Sequence, residues 1–225
     1  MRKISLLFTV TLLSWMGLNA QAIQGEKSVT HFYIVNLDEN LFDVFSSGMV
    51  DSKTTKSIDN AVVDEFIAGV IDTFYTIAAE KFKEDIGLEL LPLNELTNKI
   101  KYNKKYPNCP DMDNIKKVLK SVSGYKYYMD YFVNIFSDAN TDFSAKPTPN
   151  RIKPLFAISF NLYNGNGKLI EKIDYSYKSN KSLSEGSKPG IRPKSQQMKV
   201  RLCNSYSDAL NGFSIVCKRK LTAQL

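Results

Sequence analysis

The chain has 225 residues, 43% hydrophobic and 24% charged, a balance that suits a packed globular protein and excludes a disordered one. Its formal charge of +7 is uneven: residues 178–225 hold ten Lys or Arg against Glu185 and Asp208, so residues 1–177 sum to −1. The basicity belongs to the C-terminal fifth, where it is expected to solvate a loop and a helix surface, with anionic envelope polymers or lipid head groups as alternative partners; no nucleic-acid reader motif accompanies it, and no nucleic-acid partner is expected.

Arg2 and Lys3 precede an apolar run, Ile4 to Leu18, that ends in Ala20-Gln21-Ala22. A positive start, a short apolar core and small residues at −3 and −1 form the pattern of a cleavable secretory signal. The core is shorter than the ~20 residues of a bilayer span and carries Thr9, Thr11, Ser14 and Gly17. Residues 1–22 are therefore expected to be removed, leaving 203 residues from Ile23 onward, enough for one domain. No cysteine sits at the cleavage point to carry a lipid, and no later segment is long enough to span a membrane. The expected location is outside the cytoplasm, periplasmic or secreted.

Residues 29–37, "VTHFYIVNL", read as a first strand, apolar at its centre on both faces as interior strands are. A long amphipathic helix follows over 58–85, with Ile58, Val62, Phe66, Val70, Phe74, Ala78 and Phe82 recurring every fourth position. Gly87 is placed to end it, and "LELLPL" reads as a short second strand closed by Pro92. Residues 94–101 suggest a helical turn or two, and 113–122 a short helix with Ile115, Val118, Leu119 and Val122 on one side. From Tyr125 to Phe136 the period changes to two. "LFAISFNLY" and "KLIEKIDYSY" flank "NGNG" (164–167), a hairpin signal. Residues 178–195, rich in Ser, Lys, Gly and Pro, are expected to form a mobile basic loop. Residues 196–225 then supply a helix, or a helix and a strand, packing on the same domain as 23–177; periodicity leaves 213–221 open between the two.

The expected fold is α/β (α+β): a mixed sheet of about five strands in the order strand, long helix, strand, helices, strand, hairpin, helix. The first strand–helix–strand unit predicts a parallel crossover, and the later strands are expected to add antiparallel pairs. The strand "FYIVNL", helix 58–85, "GLELLPLNEL" and the "NGNG" hairpin together resemble a group of bacterial envelope domains. That group includes the amino-terminal domain of the TolB translocation protein, the penicillin-binding-protein activator lipoproteins and the periplasmic domain of the curli-secretion lipoprotein. The resemblance covers residues 29–177 and implies a binding or assembly role without catalytic residues. The 225 residues contain no lipid-carrying cysteine at the expected cleavage point and no propeller repeat, so the membrane anchoring and the particular partners of that group are not expected to carry over.

Catalytic sets are scarce. His31 is the single histidine, inside the first strand, and no G-x-S-x-G elbow, Walker loop or dinucleotide fingerprint is present. Three scattered cysteines, 109, 203 and 217, lack C-x-x-C spacing, so no metal site and no cofactor are expected. If 195–217 is one helix, Cys203 and Cys217 lie about 21 Å apart, beyond the roughly 7 Å of a disulfide, and they read as buried thiols. In "KKYPNCPDMDN" (104–114), Pro107 and Pro110 stiffen a corner, and Asp111 or Asp113 is expected to cap the helix that follows rather than to bind calcium.

The tyrosines are the stronger lead. Tyr125, Tyr127, Tyr128, Tyr131, Tyr163, Tyr175 and Tyr177 fall on three expected strands, and aromatics on an exposed sheet face can stack on sugars or anchor proteins. The functional expectation is an exported, non-catalytic domain that binds an envelope protein or glycan. A secreted hydrolase using a carboxylate pair is the alternative, and self-association through helix 58–85 is a further expectation.

Overall fold

Residues Lys27–Leu37, dominated by β-branched and aromatic side chains, form strand β1, an interior strand of a five-stranded sheet. The computed structural model describes residues 23–37, 41, 60–96, 100–105, 110–122, 124–137, 153–183 and 195–223. The expected signal segment 1–22, Pro107, Cys109 and most of the expected basic loop (184–194) lie outside them. After β1 come helix α1 (Asn60–Asp85), strand β2 (Glu89–Pro92), a 3-10 turn (Leu93–Leu96) and helix α2 (Met112–Ser121). Strands β3 (Tyr127–Ser137), β4 (Pro154–Asn164) and β5 (Leu169–Lys178) and helix α3 (Ser195–Ala223) complete the chain. The result is a mixed five-stranded sheet with three helices packed on it, an α/β fold.

The strand order is β2-β1-β3-β4-β5. β1 pairs in parallel with β2, as the crossover through α1 requires. The joining of β3 corrects the expected antiparallel addition: β3 lies on the other side of β1 and runs parallel to it, Phe32 opposite Tyr131. The connection from β2 carries the 3-10 turn and α2, long enough to return the chain to the starting end of the sheet. β4 and β5 then add antiparallel through the hairpin. Asn164 closes that hairpin: its carbonyl accepts the Gly167 N–H at 2.7 Å, and its side chain accepts the N–H groups of Asn166 and Lys168 at 3.0 Å each.

One sheet face carries the main core. Val70, Phe74, Ala78 and Phe82 of α1 and Met198, Leu202, Tyr206, Leu210, Phe213 and Cys217 of α3 cover Met129, Tyr131, Val133, Phe156, Ile158, Phe160 and Ile173. From Val70 to Phe82 the apolar stripe that α1 would offer to a second copy of the chain is thus buried within its own chain, while the Ile58 and Val62 side chains lie outside those described. Two glycines allow the close fit. Gly87 caps α1 at φ +77°, its N–H bonding Lys83 O at 3.2 Å, in a conformation unfavourable for a residue with a Cβ. Gly212 faces the Tyr175 ring so closely that a Cβ there would sit 2.0 Å from the Tyr175 hydroxyl.

α3 is one continuous helix, so 213–221 is helical and not a strand. Cys203 and Cys217 are both free and buried on its inner side, and burial pushes both thiols up in pKa. Of the segment expected to be a basic loop, Lys178 is the last residue of β5, while Ser179 and Leu183 are buried. Ser179 Oγ lies 3.1 Å from Ser205 Oγ, and Arg201 donates to Leu183 O at 2.6 Å.

The opposite face is covered at one end by α2 and the 3-10 turn. Asp111 caps α2, accepting from Asp113 N at 3.0 Å and Asn114 N at 3.4 Å. Ile115, Val118 and Leu119 then pack with Leu93, Leu96 and Ile100 over Val29 and Tyr128. Lys101 and Asp111 pin this corner: Asp111 N–H donates to Lys101 O at 2.8 Å, and Lys101 N–H to Asn114 Oδ1 at 2.6 Å.

Candidate binding face

Helix lengths decide where the sheet stays open. α1 and α3, with 26 and 29 residues, run about 39 and 43 Å, enough to cover the roughly 36 Å of an 11-residue strand. α2 has 10 residues and reaches about 15 Å. It covers the start of β3 and leaves the following positions of the second face without a helix among the described residues.

Two rows of side chains cross the sheet there. In register, His31 of β1 lies beside Asp130 of β3, Asn161 of β4 and Lys172 of β5. One step along, Tyr33, Phe132, Ser159 and Asp174 form the second row. The six residues on β1, β3 and β4 are half-buried, whereas Lys172 and Asp174 are exposed. Each row spans three strand spacings, about 14 Å.

Contacts within the rows fix their geometry. The Tyr128 hydroxyl, buried under α2, donates to Asp130 Oδ1 at 2.6 Å. Burial, reinforced by that carboxylate, raises the Tyr128 pKa, so the phenol stays a donor. His31 Nδ1 sits 3.5 Å from the same oxygen without forming a hydrogen bond, and both contacts use Oδ1 alone. The His31 ring tilts on Tyr33 at 4.6 Å, and Tyr33 stacks with Phe132 at 5.7 Å. Ser159 Oγ donates to Asp174 Oδ1 at 2.6 Å, with Lys172 Nζ 3.6 Å from Oδ2. The face thus offers a carboxylate, an imidazole, an amide and a stacked aromatic pair in one patch. It does not build a hydrolytic triad: the hydroxyl nearest Asp130 donates to the carboxylate and not to the imidazole. Among the described residues no three of His, Cys, Asp and Glu gather as metal ligands would.

The seven tyrosines do not gather into one surface. Tyr131 is fully buried on the helix-covered face, its hydroxyl 2.8 Å from that of Tyr206. Tyr128 is fully buried on the other face, beside half-buried Tyr125 and Tyr163. Tyr127, Tyr175 and Tyr177 are half-buried against the main core. Tyr128 and Tyr131 therefore have no surface to present to a ligand, because their rings close the two cores. Burial raises the phenol pKa of Tyr127, Tyr163 and Tyr177 as well. His31, Asp130, Phe132 and Asn161 were not singled out as binding residues from sequence. For Asp130 and Phe132 the signal is the polar and aromatic set at even positions of 128–136, opposite the buried Met129, Tyr131 and Val133; His31 and Asn161 join them only through the register.

No protein-family model matches the chain, and no curated protein matches it in sequence. Among solved structures it is similar to a PelC dodecamer from Paraburkholderia phytofirmans, at 8% identity and a TM-score of 0.37, covering 84% of this chain and 88% of that one. It is also similar to a neuraminyllactose-binding hemagglutinin homologue from Helicobacter pylori, at 12% identity and a TM-score of 0.38, covering 90% and 92%. Neither is one of the envelope domains that the element order resembles, and TM-scores this low do not carry identity or activity across. No helix among the described residues is long and apolar enough to cross a membrane.

Proposed function

We propose that the chain is an exported, non-catalytic domain that binds a glycan of the cell envelope on the open part of its second sheet face. The observation that carries this reading is the pair of cross-strand rows, His31–Asp130–Asn161–Lys172 and Tyr33–Phe132–Ser159–Asp174. Sugars present hydroxyls above and below a weakly apolar ring face. A carboxylate and an amide accept and donate to the hydroxyls, and an aromatic ring stacks on the C–H face. Export is supported by the signal pattern of residues 1–22, which lie outside the described structure.

The test is binding of the purified chain, lacking residues 1–22, to a panel of envelope polysaccharides and oligosaccharides. Asp130→Asn removes a charged acceptor, and hydrogen bonds to charged groups are worth about 1.5–3 kcal/mol, so affinity is expected to fall about tenfold or more. Phe132→Ser is expected to weaken binding as well, with circular dichroism unchanged for both variants. Binding that ignores both substitutions, or saturable capture of an envelope protein with no glycan retained, would overturn the reading.

A further inference from the structure

The sheet has two outer edges, and they are unlike. β2 is four residues long and ends in Pro92, which has no N–H to offer a docking strand. β5 is ten residues long, and among the described residues nothing pairs with its outer side. A long free edge is a template for a second strand unless something on it discourages pairing.

Glu171 is placed to do so. Its register partner is the fully buried Leu162, which puts it on the helix-covered face, where it is 7% exposed. Oε1 accepts the backbone N–H of Lys172 at 3.2 Å and lies 3.8 Å from Lys220 Nζ on α3; Oε2 is buried with no partner. As a contribution to stability this arrangement is poor. A buried carboxylate with one orphaned oxygen and one long ion pair carries its desolvation cost with little in return, and an apolar side chain would pack there more cheaply. As a barrier on an edge strand it is effective. A strand docking along β5 would compete for the Lys172 N–H and remove water from the Lys220 ammonium, whose side chain is still 45% exposed. The carboxylate would then be left with no donor but a distant lysine.

We propose that the buried Glu171 carboxylate keeps β5 from pairing edge to edge with β5 of a second copy of this chain. The role lies on the face opposite the proposed glycan site and is independent of it. The test compares the purified protein with Glu171→Val and Lys220→Met by sedimentation equilibrium over a wide concentration range, with thermal unfolding alongside. Glu171→Val is expected to self-associate about tenfold more tightly than the parent, with its Tm equal or higher. Lys220→Met leaves the buried carboxylate in place and is expected to keep the parent's mass while losing Tm. The proposal is overturned if Glu171→Val shows the parent's mass at every concentration, or if Lys220→Met associates equally well. A lower Tm for Glu171→Val would also overturn it, by showing that the carboxylate is kept for stability.

Discussion

The two faces of the sheet come from the same strands and the same alternation, yet among the described residues long helices cover one face and a short helix covers only one end of the other. On the closed face Phe82, Tyr131, Phe160 and Phe213 meet at ring-centroid distances of 5.8–6.1 Å in tilted and edge-to-face pairs. On the other, Tyr128 and Tyr163 tilt at 6.0 Å beneath α2, and a single row further along the side chains turn to His31, Asp130 and Asn161. The difference shows that helix length sets the boundary between core and surface on a sheet. Where a helix covers the strand, an aromatic at an alternate position becomes core. Where the helix stops, the same position must tolerate water.

The largest expected effect breaks the closed face. Phe213 lies within 6.1 Å of the rings of Phe82, Tyr131, Phe160 and Tyr175. Phe213→Ala should cost about 3–5 kcal/mol, as core Phe truncations do. Phe132→Ala, half-buried on the open face, should cost well under half of that. Urea denaturation of the two variants checks the ratio, and equal losses would show that the second face is a closed core as well.

A sharper contrast comes from two tyrosine hydroxyls. Tyr131→Phe leaves the Tyr206 hydroxyl buried and unpaired, which should cost about 1–3 kcal/mol. Replacing both tyrosines by Phe should recover much of the loss, because no orphan remains. Tyr128→Phe frees Asp130, whose side chain is 21% exposed and can turn to water, so its cost should be smaller than that of Tyr131→Phe. A double-mutant cycle on Tyr131 and Tyr206 measures the coupling, and additive losses would contradict the pairing.

These contrasts also mark what the sequence could disclose. The four-residue spacing of Val70, Phe74, Ala78 and Phe82 announces a helix with one buried side, and "NGNG" between two alternating runs announces the hairpin; both signals are local. Alternation likewise sorts residues 127–137 onto two faces, but it does not say which face the helices cover. Tyrosine suits a buried ring cluster as well as a surface, so Tyr131 and Tyr128 could not be told from binding residues by type. The position of β1 between β2 and β3 was hidden for another reason. Parallel neighbours are joined through long crossovers and leave no turn signature, so the meeting of His31 with Asp130, 99 positions away in the chain, follows only from the register.

A smaller effect tests the helix that sets the limit of the second core. Asp111 accepts from two backbone N–H groups at the start of α2, and Asp111→Ala should cost about 1 kcal/mol. Loss of that cap loosens α2 over Tyr128, so hydrogen exchange should quicken at Ile115 and Val118 before it does in α1 or α3. Uniform quickening across all three helices would show instead that the two faces unfold as one unit.

The smallest expected effect lies at the rim of the closed face, where α1 ends against α3. Asp85 has its carboxyl held below the ordinary range by the Ser214 hydroxyl, which is shared with the Asn211 carbonyl 3.2 Å away. Lys81, 3.2 Å from the carboxylate, and the charge of Lys218 lower it further, against the opposing effect of burial. A carboxyl whose folded pKa is depressed adds stability above its unfolded pKa, about 3.9, and loses that contribution as pH falls through this value toward the folded one. Because the pair is partly exposed, its worth at neutral pH should be only about 0.3–0.5 kcal/mol. The unfolding free energy of the parent should therefore exceed that of Asp85→Asn by this amount at pH 7, with the two converging below about pH 4. A gap that persists unchanged into acid would mean that the contact between α1 and α3 is held there by packing of Ser214 and Ile86 rather than by the charge of Asp85.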